Sequence, residues 1–201
     1  SVYMKVCKLR INNALILAHA KQFEKKNALY PYTKSEIRQT SISVSNMSYT
    51  LDNLFMDKCP TRLVVGFVSS EAVSGSLTRN PYNFQGANIK SIGLFLDGVS
   101  VPGRPLAADD IEAFVNLFSE KWSQNTGNGI DRSQFETGKA LFVFNLEPLS
   151  INDTYLNLIR SGNLRLEVQF KSALTSTLNM IAFSQYPALV EVDQQRNVYL
   201  R

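Results

Sequence analysis

The side chains in this 201-residue sequence whose types could do chemistry are few and scattered. His19 is the single histidine, and helical spacing sets it beside Ile16 and Phe23 on an apolar stripe. No nearby serine or cysteine carries a motif that activates a nucleophile, so His19 reads as a structural histidine rather than a general base. Serine triads and multi-histidine metal sites need partners that this sequence does not hold. Asp97, Asp109, Asp110, Asp131 and Glu136 could meet in space as a general acid and base. Local roles explain several of them better. Asp97 precedes Gly98 in a turn dipeptide, and Asp109-Asp110 precede a helix whose N-terminal dipole favours negative charge. Asn125-Thr126-Gly127-Asn128-Gly129-Ile130-Asp131 resembles a calcium loop but lacks the acidic spacing and terminal glutamate of an EF-hand. Gly127 and Gly129 make a Gly-x-Gly without the third glycine of a phosphate cradle, so the segment reads as a surface loop. Cys7 and Cys59 are too few for a disulfide framework and have no paired zinc spacing; they read as reduced, partly buried thiols. No catalytic, metal or cofactor-binding residue is assigned, and no enzyme is expected.

Composition agrees with a packed domain. The chain is 44% hydrophobic and 19% charged, too apolar for disorder, and its length suits one domain over residues 1–201. The net charge of +4 is small and its carriers are dispersed. The densest group, Lys21, Lys25 and Lys26, ends a predicted helix, where cations complement the dipole. Specific nucleic-acid binding is therefore not expected. The longest apolar run, residues 63–68, is far below the roughly 18 residues of a membrane span. The N-terminus has no secretory apolar region after a basic start, so secretion is not expected and the sequons at Asn46 and Asn152 read as chance matches.

The elements that would position these residues follow from periodicity. Residues 2–9 are mostly apolar with partial alternation and read as a strand ending at Asn12-Asn13. Ile16, His19, Ala20 and Phe23 then predict a short helix with an asparagine cap, closed by Tyr30-Pro31-Tyr32. Residues 36–44 alternate as a half-exposed strand. Residues 61–69 and 90–97 read as strands covered on both faces, the second turning at Asp97-Gly98 into residues 99–101. Ile111, Phe114, Val115, Phe118 and Trp122 recur at helical spacing after Asp109-Asp110. Residues 125–132 form a loop, residues 140–146 an apolar strand ending at Pro148, and residues 153–160 a short helix stopped by Gly162. Leu164, Leu166, Val168 and Phe170 alternate with Arg165, Glu167 and Gln169 in the cleanest period-two strand. Residues 177–199 supply one long strand or two, interrupted near Pro187.

About eight strands, three helices confined to connections and no βαβ rhythm argue for an all-β antiparallel β-sandwich with short inserted helices. Jelly rolls and immunoglobulin-like sandwiches both satisfy that pattern. The aromatics Tyr82, Phe84, Phe95, Phe114, Phe118 and Trp122 read as core packing, and Asn80-Pro81-Tyr82-Asn83-Phe84 as a turn that sets local backbone geometry, with an intersubunit contact as its second reading.

Several blocks carry a resemblance. Leu51-Asp52-Asn53-Leu54-Phe55 is followed by Pro60-Thr61-Arg62-Leu63-Val64-Val65-Gly66-Phe67-Val68, then by Asn80-Pro81-Tyr82-Asn83-Phe84. Leu94-Phe95-Leu96-Asp97-Gly98 and Val101-Pro102 come next. Gly162-Asn163-Leu164-Arg165-Leu166-Glu167-Val168-Gln169-Phe170 follows, then Val190-Glu191-Val192-Asp193 with Arg196-Asn197-Val198. In order and spacing these blocks resemble the hexon-like double jelly-roll major capsid protein of Polinton (Maverick) elements and adintoviruses, and within it the C-terminal jelly-roll portion. The resemblance implies a jelly roll of the viral capsid type that acts as a structural protein of the virion. It implies self-association into pseudo-hexagonal capsomers, a homotrimer once the N-terminal jelly roll is present, contact with other capsid proteins, and assembly inside the host cell. Candidate contact surfaces are the strand face of Arg165, Glu167 and Gln169, the loop over residues 125–132, and the tail over residues 193–201. The rival is a jelly-roll binding module such as a carbohydrate-binding lectin, because fold alone does not decide function.

Overall fold

The computed structural model of the protein describes residues 2–55, 58–86, 88–118, 129–146 and 161–200. They form two compact units, one of Lys34–Tyr186 and the other of Ser1–Thr33 with Pro187–Arg201. In chain order the elements are α1 (Asn13–Phe23), β1 (Ala28–Ile42), β2 (Ser48–Leu51), β3 (Arg62–Ser69), α2 (Ser70–Val73), β4 (Ile89–Leu96) and β5 (Val99–Leu106). α3 (Ile111–Phe118), α4 (Arg132–Thr137), β6 (Leu141–Asn145), β7 (Leu164–Phe170), β8 (Leu178–Val192) and β9 (Val198–Leu200) follow. The helix expected over residues 153–160, the position of Trp122 and most of the loop after it lie outside the described residues.

In the larger unit one sheet has the order β1-β8-β3-β6 and the other β2-β7-β4-β5. The pairs nest. β4 and β5 form the inner antiparallel hairpin, β3 pairs with β6, β2 with β7, and β1 lies beside β8, with successive pairs falling in alternate sheets. A long hairpin rolled over so that its pairs alternate between two facing sheets is a jelly roll. The β1–β8 register is visible in two contacts: Ser41 Oγ donates to Asn179 Oδ1 at 2.6 Å, and Ser184 Oγ donates to the Glu36 carbonyl at 3.2 Å. The two strands therefore run in opposite directions.

The inner hairpin turns where the sequence places it. Asp97 and Gly98 have φ of 50° and 84°, so both central residues are left-handed, as a two-residue turn matched to strand twist requires. Asp97 Oδ1 also accepts the Asn163 amide at 2.8 Å, tying the turn to the start of β7. Along β7, Leu164, Leu166, Val168 and Phe170 are buried while Arg165, Glu167 and Gln169 point away, as its alternation predicts. β3 is buried from Leu63 to Val68, the pattern of a strand covered on both faces.

The core lies between the sheets and is closed by helices. Phe118 and Phe114 meet edge-on at 4.9 Å, Phe114 and Phe135 at 5.7 Å, Phe135 and Phe142 at 6.1 Å, and Phe142 and Phe67 at 6.3 Å. This chain of rings carries α3 and α4 onto β6 and β3. The inward face of α3 differs from the predicted stripe. Ala113 and Leu117 are fully buried and Phe114 and Phe118 partly so, whereas Ile111 and Val115 are 58% and 51% exposed. At about 100° per residue the buried arc centres near Leu117, because small Ala113 lets the helix backbone approach where a large side chain would hold it off.

The smaller unit departs further from expectation. Residues 2–12 form neither strand nor helix, and Val2, Met4, Val6 and Leu9 are exposed. Alternation makes a strand only where another strand supplies its hydrogen bonds. Asn12 does cap α1, its side chain accepting the Ala14 amide at 3.0 Å, but α1 buries no residue. Tyr30-Pro31-Tyr32 lies within β1 rather than closing the helix, which ends at Phe23; β1 is an edge strand, where proline is tolerated. β8 likewise continues through Pro187 to Val192, because its ladder with β3 ends at Gln185 and the missing N–H costs no bond on that side. Beyond it β9 pairs back on β8, so Val192 faces Val198.

Candidate functional site

The residues whose types could do chemistry are separated and locally occupied. His19 is exposed on α1, whose stripe meets no core. Asp110 accepts the Glu112 amide at 3.2 Å through Oδ1 and binds Arg104 Nη2 at 2.9 Å through Oδ2, the same guanidinium reaching Glu112 at 2.7 Å. Asp109 lies 3.4 Å from Lys171. Asp131 caps α4, taking the Gln134 amide at 2.7 Å, and these hydrogen bonds hold its carboxyl below the ordinary range. Glu136 is 3.7 Å from Arg132 on the same helix. Among the described residues no three His, Cys, Asp or Glu side chains gather around a metal-sized point, and no helix is long and apolar enough to cross a membrane. Cys59 is buried, but Cys7 is exposed, against the expectation of two partly buried thiols.

The surfaces are more informative. On the outer face of the β2-β7-β4-β5 sheet, the Arg165 guanidinium sits 4.9 Å over the Phe95 ring and 2.8 Å from Glu167. Its Nε is buried without a hydrogen-bond partner. Phe95 covers Gly93, where an added Cβ would meet the ring at 3.1 Å and Pro105 at 3.4 Å. Phe95 is therefore an outward, half-buried ring and not a core residue. Gln169, further along β7, is exposed beside Ser91 and Ser48.

The outer face of the β1-β8-β3-β6 sheet carries an apolar row that strand-by-strand reading missed. Ladder register sets Phe183 opposite Val64 and Val64 opposite Val143. The β1–β8 contacts place Ile37 on the far side of Phe183, and Ile37 is 68% exposed. The signal was present in each strand, but only pairing aligns the four residues into one row.

Asn80-Pro81-Tyr82-Asn83-Phe84 is a turn, as expected: Asn80 Oδ1 accepts the Tyr82 amide at 2.9 Å and the Asn80 carbonyl accepts the Asn83 amide at 3.2 Å. Phe84 then forms a parallel bridge with Lys139. Tyr82 is 77% exposed, which removes it from the predicted aromatic core. The tail keeps a defined turn. Asp193 accepts the Asn197 amide at 2.8 Å and the Tyr199 hydroxyl at 3.1 Å, which lowers the Asp193 pKa and raises that of Tyr199. In the predicted loop over residues 125–132, the described part ends in the Asp131 cap.

The strand order can be set beside solved structures. The chain is similar to PBCV-1 VP54, as fitted into a reconstruction of the virophage Sputnik, with a TM-score of 0.56 and 9% identity over 90% of this chain and 52% of that one. It is similar also to a chain of the PBCV-1 virus capsid, with a TM-score of 0.51 and 12% identity over 86% of this chain and 51% of that one. The fold is a viral-capsid jelly roll. In sequence, an uncharacterized protein of Caenorhabditis elegans is 28% identical over 184 residues, 87% of this chain. The chain spans 44% of that relative's length. No family model matches the chain.

Proposed function

We propose that this chain is a structural, non-enzymatic component of a virus shell: a jelly roll over residues 1–201 that corresponds to the C-terminal half of a double jelly-roll major capsid protein of the Polinton and adintovirus type. The observation that carries the reading is the nested strand order shared between two sheets, in a chain whose sequence blocks resemble that family. Coverage of about half of each similar capsid chain fits a one-roll unit. In this reading the protein belongs to the virion and associates with an N-terminal jelly roll, with copies of itself in a pseudo-hexagonal trimer, and with other capsid proteins.

Its mechanism is geometric. A rigid sandwich holds chosen side chains at fixed heights, so that many identical contacts close a shell and each contact can be weak. Exposed Ile37 and half-buried Phe183, at the open end of the row whose Val64 and Val143 are already buried, and the exposed aliphatics Val2, Met4, Val6 and Leu9 fit surfaces covered on assembly, since exposed apolar surface drives association. Arg165, Glu167 and Gln169 supply a polar face for specificity. The test is the solution mass from light scattering on a sizing column, first of this chain alone and then with the upstream half supplied. Trimers in either condition support the reading. A stable monomer in both overturns it.

A further inference from the structure

A cleft of about 540 Å³ opens in the larger unit between the segment leading into β4, the end of α4 and the connection from β7 to β8. Its volume falls in the range of small-ligand sites, roughly 300–1,000 Å³. One wall is braced by Asn88, whose side chain accepts the Ser172 amide at 3.0 Å and the Ser172 hydroxyl at 2.9 Å and donates to the Ser172 carbonyl at 3.0 Å. Buried Phe170, Leu174 and Leu178 provide an apolar floor.

The rim chemistry is specific. Among the described residues no charged side chain lines the cleft, in a protein with 21 basic and 17 acidic residues. The lining includes Asn83, Gln85, Thr175 and Ser176, whose side chains make no hydrogen bond to other described residues. Amides and hydroxyls each offer donors and acceptors, as ligand hydroxyls do. An anionic or cationic ligand would enter without a counter-charge and lose part of its hydration, whereas a sugar's hydroxyls pair with the rim while its C–H face meets the floor. We infer that this cleft binds a neutral, polyhydroxylated ligand, a glycan without acidic sugars. The inference stands apart from the shell reading, because it needs neither a trimer nor a second jelly roll.

Saturation-transfer NMR on the full chain tests it, using neutral oligosaccharides of glucose, galactose, mannose and N-acetylglucosamine, with sialylated and sulfated oligosaccharides as the contrasting arm. Binding of at least one neutral glycan is expected, with affinity falling about tenfold in the double variant Gln85→Ala, Ser176→Ala, for two lost hydrogen bonds. Both positions are exposed, and circular dichroism verifies that the variant stays folded. Absence of transfer from every neutral glycan overturns the inference, as does a preference for acidic glycans. Binding unchanged in the folded double variant overturns it too, because the ligand would then sit elsewhere.

Discussion

The ring of Phe84 occupies the space that a side chain at Gly66 would need: a Cβ added there would lie 2.7 Å from Phe84 Cδ1 and 3.0 Å from Leu141 Cδ2. Phe84 is held by its backbone, which donates to the Gly138 carbonyl at 2.7 Å and accepts the Ala140 amide at 3.1 Å. The glycine in the middle of β3 is thus the imprint of a segment about twenty residues later folding back over the sheet.

Gly66→Ala should therefore destabilise the fold by about 1–3 kcal/mol through overpacking. Adding Phe84→Leu should recover part of the loss, because the two side chains compete for one space. Denaturant midpoints of the two single variants and the double variant check the coupling; additive losses would mean that the ring is not the obstacle.

Gly98 makes a different demand. Nothing lies within 4 Å of an added Cβ, but φ is +84°. Gly98→Ala should cost about 1 kcal/mol from backbone conformation alone, with no partner substitution able to restore it. Thermal unfolding of the variant beside Asp97→Asn, whose residue also tolerates positive φ, separates backbone strain from the lost carboxylate.

Tyr186 is buried and meets Phe55 edge-on at 5.7 Å. Burial pushes its phenol from 10.0 up to about 12. The folded state keeps this proton at a pH where the unfolded chain releases it. The associated stability is complete below pH 10 and declines as pH rises through about 12. Unfolding midpoints between pH 9 and pH 12 should fall less steeply in Tyr186→Phe than in the unaltered protein, and equal slopes would assign the decline to other groups.

Ile37→Glu places a charge at the exposed end of the Phe183–Val64–Val143 row without entering the core. Its unfolding stability should stay within about 0.5 kcal/mol of the parent, while the fraction of the proposed trimer, read by light scattering with the proposed upstream half supplied, should drop. An unchanged trimer fraction would remove this row from the contact surface.

What the sequence determined by itself was local. The alternation of β7, the covered run of β3 and the Asp97-Gly98 hairpin were legible because pleat geometry and positive φ act over a few residues. The polar face of Arg165, Glu167 and Gln169 could be named for the same reason. Its cover by Phe95 could not, since that contact crosses from β7 to β4. Tertiary structure alone decided which apolar strand pattern found partners: residues 2–9 alternate yet stay outside both sheets, while β1 and β8 run on through prolines that local rules read as stops. It also decided the nesting of pairs that makes a jelly roll, the face that α3 buries, and the alignment of Ile37 with Phe183, Val64 and Val143. The physical reason is that periodicity states which faces of a segment are apolar, whereas the choice of partner strand depends on hydrogen bonds and packing between residues far apart in the chain.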